Sequence, residues 1–237
     1  MTIYDLLLMQ IIAHLLADFT FQSKEWVEKK RDFGFKSKHL YWHVLVVFLV
    51  SLLFADQWRF VLFSVVIAAS HLAIDGLKNS LKDWKYTFFI DQVLHIAIIA
   101  GMVFIYNHYF SLTPVIELPV NTHQLMIITG YLICTKPANV LIKKILELWN
   151  IISFSGSKEI ELENAGKLIG IMERILILTL LLYNQFTAVG FLITAKSILR
   201  YEGIKATKTE YVLIGTLLSF GIAFFVFVVI NQLKFYS

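Results

Sequence analysis

Long apolar segments alternate with short polar ones along the whole chain. Runs such as Val44–Phe54, Ile96–Ile105 and Gly215–Ile230 contain no charged residue, and a membrane-spanning helix needs about 20 mostly apolar residues. The pattern predicts an all-α polytopic bundle of about eight spans, at residues 3–22, 39–55, 59–78, 88–107, 122–147, 167–183, 186–201 and 211–233. The fifth span is expected to kink at Lys136-Pro137 and to continue as an interfacial helix, because proline interrupts helical hydrogen bonding.

The basic residues orient this bundle, because short cytoplasmic loops collect lysine and arginine. The odd-numbered loops hold Lys24, Lys29, Lys30, Arg31, Lys36 and Lys38, then Lys78, Lys82 and Lys85, then Lys136, Lys143, Lys144, Lys158 and Lys167, and finally Arg200, Lys205 and Lys208. The even-numbered loops and the termini hold only Arg59 and Lys234. We therefore expect an inner (plasma) membrane protein with both termini outside and the odd loops in the cytoplasm.

Composition narrows the class of protein. The chain has 237 residues, of which 58% are hydrophobic and 16% charged, whereas soluble domains carry about 25% charged residues. The first segment lacks a basic leader and a cleavage site, so we expect a retained span. The single cysteine, Cys134, excludes a disulfide framework and a cysteine-rich metal site. We expect a four-helix membrane domain over residues 1–110. A C-terminal membrane domain over 120–237 would include a polar cytoplasmic loop near 150–165.

Four of the predicted spans carry two ionisable residues four positions apart, so that both lie on one helix face. The pairs are His14/Asp18, His39/His43, His71/Asp75 and Asp91/His95. The order within the pairs reverses between inward-running and outward-running spans, so the pairs should meet at one depth. One layer holds four histidines, and a second layer, about one turn nearer the cytoplasm, holds three aspartates and His39. Such groups are costly in an apolar span unless they are paired, hydrated or bound to metal.

These side chains are of the type that binds a divalent metal. Imidazole and carboxylate donors without cysteine suit zinc, manganese or iron, as one ion or two. The predicted ligands are His14, Asp18, His43, His71, Asp75, Asp91 and His95. For each the alternative is an ordinary hydrogen-bonded group inside the bundle. His39 borders the basic loop and stays open between ligand and loop residue, and His108 and His123 are predicted at the surface. Gln22, Gln92 and Lys78 are candidate accessories, with an interfacial position the simpler interpretation of Lys78.

A second set of polar residues lies in the back half of the chain. Glu173 and Arg174 fall inside the sixth span, and Lys196 lies toward the cytoplasmic end of the seventh. One interpretation is an ion pair between Glu173 and Lys196 that pins a helical hairpin. The other assigns the three residues a catalytic role, with Arg174 or Lys196 holding an anionic substrate group at the metal.

These segments together resemble the bacterial membrane family known as domain of unknown function 3307. The resemblance is carried by residues 14–22 (HLLADFTFQ), 70–75 (SHLAID), 91–95 (DQVLH), 170–174 (GIMER), 195–200 (AKSILR) and 210–216 (EYVLIGT). It implies a polytopic membrane protein and assigns no activity. Family members often carry a second histidine one turn deeper in the second span, where this chain has Val47. In style of motif alone, the chain is also similar to membrane-bound metal-dependent hydrolases with HxxxD helices.

The sequence therefore predicts an integral membrane metal-binding protein, with a metal-dependent hydrolase as the leading hypothesis. Its substrate would be an ester or phosphoester of an amphiphilic molecule at the cytoplasmic side. Membrane lipids and a lipid-like or anionic substrate are the expected partners, nucleic acid is not, and the oligomeric state is not specified. A divalent-metal transporter or sensor and a non-catalytic membrane partner are the alternatives. Since the outer halves of the second and fourth spans are almost wholly apolar, a closed site is favoured over a transmembrane path.

Overall fold

The computed structural model describes residues 1–78, 84–116, 119–149, 157–201 and 206–233, and these are helical apart from short connections. Part of the polar loop predicted near 150–165, and Lys82, Lys205 and Lys234 of the charge pattern, lie outside the described residues. The α-helices in chain order are α1 (Ile3–Leu15), α2 (Lys24–Phe33), α3 (Lys38–Ala55), α4 (Val61–Leu77), α5 (Thr87–Tyr109), α6 (Thr122–Ile133), α7 (Lys136–Leu148), α8 (Ser157–Leu182), α9 (Phe186–Tyr201) and α10 (Ala206–Leu233).

The predicted all-α membrane class is confirmed in the described part of the chain. Five helical segments there are long and apolar enough to cross a bilayer: 3–20, 38–55, 58–77, 87–109 and 213–233. The helices α6 and α7 are bent by 49° at a break next to Pro137, and together they qualify as a sixth. The other two predicted spans correspond to α8, whose first turns are charged, and α9, which has 16 residues. A helix of 16 residues is at the short limit for crossing a bilayer.

The chain divides into two compact units, Met1–Thr129 and Gly130–Ser237. In the first unit α1 packs on α3 and α5, and α4 also packs on α3 and α5, so the four helices form a closed ring. Apolar side chains from all four fill one part of its interior, among them Leu6, Val47, Ile67 and Ile99. The start of α1 is fixed by Thr2, which forms a reciprocal capping box with Asp5.

The helix α2 lies in the first basic loop and packs against α3 and α4. Ser23 caps its N-terminus by accepting a hydrogen bond from the Trp26 amide. It ends at Gly34, whose positive φ of 51° is a backbone angle that glycine adopts more easily than other residues. Just beyond, the Phe35 ring covers Gly76 so closely that a Cβ atom there would lie 2.2 Å from it. This contact fixes α2 beside the end of α4.

The chain leaves α1 through a π-helical turn, Leu16–Thr20. Its signature is the Phe21 amide, which donates to the carbonyl of Leu16, five residues back, at 2.8 Å. Single π-helical turns inside α-helices often occur at functional sites. Here the turn carries Asp18.

In the second unit α8 packs on α7, α9 and α10, and α10 also packs on α7. Gly130 allows close approach of α10, since a Cβ atom there would lie 2.7 Å from Ile230. The Tyr131 and Thr179 hydroxyls are hydrogen-bonded at 2.7 Å. Ile177, Leu178 and Leu181 of α8 and Ala223 and Val226 of α10 are buried in the apolar interior of this unit.

Candidate metal centre

The four helices of the ring each bring one histidine to its interior. The ring centroids of His71 and His95 are 3.8 Å apart, and His14 lies 5.4 Å from both. The His43 ring lies 6.0 Å from that of His71. All four imidazoles are at most 3% exposed. Residues up to 81 positions apart in the chain thus form one cluster, as the shared depth of the four pairs predicts.

Asp18 lies at the centre of three of these rings. Its Oδ1 atom is 3.4 Å from Nε2 of His43, 3.5 Å from Nε2 of His71 and 3.7 Å from Nδ1 of His14. The carboxylate is 9% exposed and forms no ion pair with a lysine or arginine of the described residues. Three imidazole nitrogens therefore surround one carboxylate oxygen.

A second group lies beside the first. Oδ1 of Asp91 is 3.5 Å from Nδ1 of His95, and Nε2 of His43 is 3.6 Å from Oδ2 of Asp75. Within this group Asp75, Asp91 and His95 can each offer a donor atom such that all three lie within 4.8 Å of one another, and the same holds for His14, Asp18 and His71 in the first group. The seven predicted ligands thus form two adjoining candidate sites, with His43 contacting both.

Two lysines belong to the second group. Nζ of Lys78 lies 2.6 Å from Oδ1 of Asp75 and 2.6 Å from Oδ1 of Asp91. Lys30, from α2, forms an ion pair with the other oxygen of Asp75. With neutral imidazoles, the three aspartates and two lysines leave a single negative charge in a region of low dielectric constant.

Several donor atoms in the cluster lack hydrogen bonds. Within the described residues, Asp18 Oδ1, Nε2 of both His43 and His71, and both ring nitrogens of His95 have no hydrogen-bond partner. Buried polar atoms in folded proteins are nearly always hydrogen-bonded, and one left alone costs about 1–3 kcal/mol. Four side chains at one place therefore have buried polar atoms without hydrogen bonds, which fits an arrangement that binds a cation between them.

The sequence pattern assigned Lys30 only to the first basic loop. It made Lys78 a candidate accessory with an interfacial position as the simpler interpretation, because lysines in a cytoplasmic loop carry the topology signal. Gln92, another candidate accessory, contacts the cluster: its Oε1 is 3.4 Å from Nε2 of His14, and its Nε2 donates to Asp91 at 3.0 Å. His39 is not in the cluster and lies with its ring 5.8 Å from that of Trp26. Nε2 of Gln22 is buried without a hydrogen bond in the described structure.

A small polar group continues beyond the histidines on the side away from α2. Gln10 and Ser51 exchange two hydrogen bonds, at 2.9 and 2.7 Å, and the Ser51 hydroxyl lies 3.1 Å from that of Ser64. A cavity of about 10 Å³ separates Gln10 and Ser51 from His14 and His71. This is about the space of one water molecule. The apolar appearance of Val44–Phe54 concealed this group, which a search for buried polar residues at helical spacing would find.

The three residues proposed as catalytic in the back half all lie in the second unit. Arg174 is 1% exposed. It donates to the carbonyl groups of Cys134 and Thr135 and to the side chains of Asn139 and Ser219. Lys196 forms an ion pair with Glu173. These contacts tie helices of the second unit together, which favours the packing interpretation, and a catalytic role stays a prediction.

The fold and this cluster define a helical membrane protein with buried histidines and aspartates converging inside a four-helix ring. The chain belongs to the family described as "Protein of unknown function (DUF3307)", which it matches over residues 6–128. All seven predicted ligands, as well as Lys30 and Lys78, lie within that range. No curated protein and no solved structure matches the chain.

Proposed function

We propose that this chain is an inner-membrane metal-dependent hydrolase that cleaves an ester or phosphoester of an amphiphilic substrate at the cytoplasmic side. The observation that carries the proposal is the set of seven converging imidazoles and carboxylates, six of them on buried residues, several of whose donor atoms lack hydrogen bonds. Nitrogen and oxygen donors on four facing helices are the arrangement in which helical bundles hold metals. The family range, 6–128, covers the whole set.

Zinc, manganese or iron would be held in two adjoining places. One ion would take His14, Asp18, His43 and His71 as ligands. Asp75, Asp91 and His95 would hold a second ion or orient the first from outside its coordination sphere. A metal held there would supply Lewis-acid chemistry, lowering the pKa of a bound water and polarising the substrate oxygen. A carboxylate that is not a ligand would then accept the proton of that water.

The topology we propose has about eight spans, with α8 and α9 also crossing the membrane and both termini outside. The basic first loop, which carries α2, is then cytoplasmic. Since Lys30 of α2 contacts Asp75, the proposed site opens toward that side. The depth of this site inside the predicted spans suggests a substrate with an apolar part in the bilayer.

The proposal is tested by elemental analysis of the purified full-length protein, wild type against the His71→Ala/Asp75→Ala double variant. We expect about one or two metal ions per chain in the wild type and loss of them in the variant. His108 and Asp32 are exposed, so His108→Ala/Asp32→Ala is the matched control that should keep its metal. A wild type without stoichiometric metal would contradict the proposal and leave the non-catalytic alternative. Hydrolysis of p-nitrophenyl phosphate and p-nitrophenyl acetate, before and after chelation, then tests the enzyme assignment.

A divalent-metal transporter is the second candidate, and the buried group of Gln10, Ser51 and Ser64 is the observation that favours it. These side chains extend the polar interior past the histidines. They are already bonded to one another, however, and the adjoining cavity holds about one water. Metal flux into liposomes separates the two functions: a transporter moves the bound metal and loses flux on Ser51→Val, whereas a closed hydrolase site moves none.

A further inference from the structure

Lys30 and Lys78 contact the proposed metal ligands, although an ammonium group cannot itself bind a metal. Lys78 bridges Asp75 and Asp91 at 2.6 Å each, and Lys30 approaches the same Asp75 carboxylate from α2. The Lys30 side chain is 8% exposed and that of Lys78 is 30% exposed. One ammonium group is therefore enclosed, and the other connects the cluster to its surroundings.

Charge balance gives these ammonium groups a role. The three aspartates and two lysines leave one negative charge when the imidazoles are neutral. One divalent ion changes this to one positive charge, and two ions change it to three. An excess positive charge in a buried site of low dielectric constant is costly unless an anion accompanies it. With two ions bound, the site would therefore favour a multiply charged anion, whereas with one ion a single negative charge would balance it.

The position of the lysines identifies where that anion would bind. Both ammonium groups contact Asp75, beside His95, which is 1% exposed and has two ring nitrogens without a hydrogen bond in the described structure. If Asp75 and Asp91 held a metal, Lys30 and Lys78 would share their carboxylate acceptors with it and could take another acceptor at that edge of the site. A phosphate oxygen is a strong acceptor for ammonium groups.

We propose, on the basis of the hydrolase function above, that Lys30 and Lys78 bind the phosphate group of a phosphomonoester substrate at the Asp75–Asp91 edge of the metal site. Of the two substrate classes left open, a neutral carboxylic ester would leave the three positive charges of a two-ion site unbalanced, and a phosphomonoester dianion would reduce them to one. Hydrolysis adds the oxygen of one water to phosphorus and breaks the P–O bond, and the leaving alcohol takes up a proton. Inorganic phosphate is the product, so it can serve as the binding probe.

The test is calorimetric titration of inorganic phosphate into the metal-loaded full-length protein in detergent. The Lys30→Gln and Lys78→Gln variants should each bind phosphate roughly ten- to hundredfold more weakly, the range for losing one hydrogen bond to a charged group. Lys29→Gln is the matched control, because it makes the same change one residue away. Lys29 is 46% exposed and pairs with Glu25, whose pKa its hydrogen bond and charge lower.

Metal content of the same variants separates this role from a purely structural one. Because each lysine neutralises a proposed ligand carboxylate, its removal should leave metal stoichiometry unchanged. A lysine needed only for folding would instead lose metal and phosphate together. Lys78→Arg keeps the positive charge at the more exposed of the two positions and should retain most phosphate binding. The comparison of Lys78→Arg with Lys78→Gln still tests the inference if Lys30→Gln does not fold.

The outcomes are distinguishable. Phosphate binding that is unchanged in both glutamine variants, with metal present, would overturn this inference and leave the hydrolase proposal standing. A wild type without metal would overturn both. Competition by glycerol phosphate and by short-chain phosphatidic acid identifies the source of the phosphate: equal competition supports a soluble phosphomonoester, and stronger competition by the lipid supports a headgroup in the membrane.

Discussion

Asp18→Asn tests the proposed ligand set with the smallest change of shape. The substitution keeps the size of the side chain and removes its charge at the point where Oδ1 faces three imidazole nitrogens at 3.4–3.7 Å. Four-ligand zinc sites bind with about 10–16 kcal/mol, so one ligand accounts for about 3–4 kcal/mol. An amide oxygen is a weaker metal ligand than a carboxylate but does not abolish coordination. We therefore expect zinc affinity to fall by roughly a hundredfold.

The assay is competition for Zn²⁺ against a chromophoric chelator, paired with thermal melting of the metal-free protein. Because the Asp18 carboxylate is buried and has no hydrogen bond to Oδ1 in the described residues, neutralising it should not lower the melting temperature of the metal-free form. Asp32→Asn, at a side chain that is 53% exposed, is the control. A change in zinc affinity no larger than that of the control, together with a lower melting temperature, would refute the reasoning and make Asp18 a structural residue.

Three further predictions concern packing. Arg174→Ala should destabilise the protein by about 3–5 kcal/mol, because it removes the donor to two buried and two partly buried acceptor groups. Arg174→Lys should recover little of this. Melting in detergent measures both, and a loss below about 1 kcal/mol would contradict the packing role. A double-mutant cycle of Glu173→Gln and Lys196→Gln should give a coupling free energy of about 1 kcal/mol in stability, with unchanged metal content. Loss of hydrolysis without loss of stability would instead support a catalytic role for the two residues. Gly76→Ala should cost about 1–3 kcal/mol by displacing the Phe35 ring, and Phe35→Ala in the same chain should relieve it, as urea or thermal unfolding would record.

The sequence predicts the convergence of the cluster well because two simple regularities act together. The spacing of four residues puts His14 and Asp18, or His71 and Asp75, on one helix face. The reversed order of Asp91 and His95 then sets the pairs at a common depth, since alternate spans run in opposite directions. Both regularities depend only on helix geometry and on the cost of burying charge. The packing of the four helices places these side chains as the two regularities predict.

The remaining features depend on contacts that no local pattern encodes. Lys30 lies on a short helix in a basic loop, and its role follows only from the packing of α2 on α4, which the Phe35–Gly76 contact fixes. The π-helical turn that carries Asp18 has no residue signature, because its backbone differs from an α-helix by one extra residue. The number of spans also stays a prediction, since the charged beginning of α8 and the shortness of α9 weaken the hydropathy signal.

X-ray absorption at the K edge of the metal that copurifies with the wild-type protein tests the central claim most directly. The account predicts nitrogen and oxygen scatterers only, at about 2.0–2.2 Å for zinc, with the multiple-scattering features of at least two imidazole rings. These features should diminish in His71→Ala. A sulfur shell at about 2.3 Å, a fully hydrated ion without imidazole scattering, or no metal at all would contradict it.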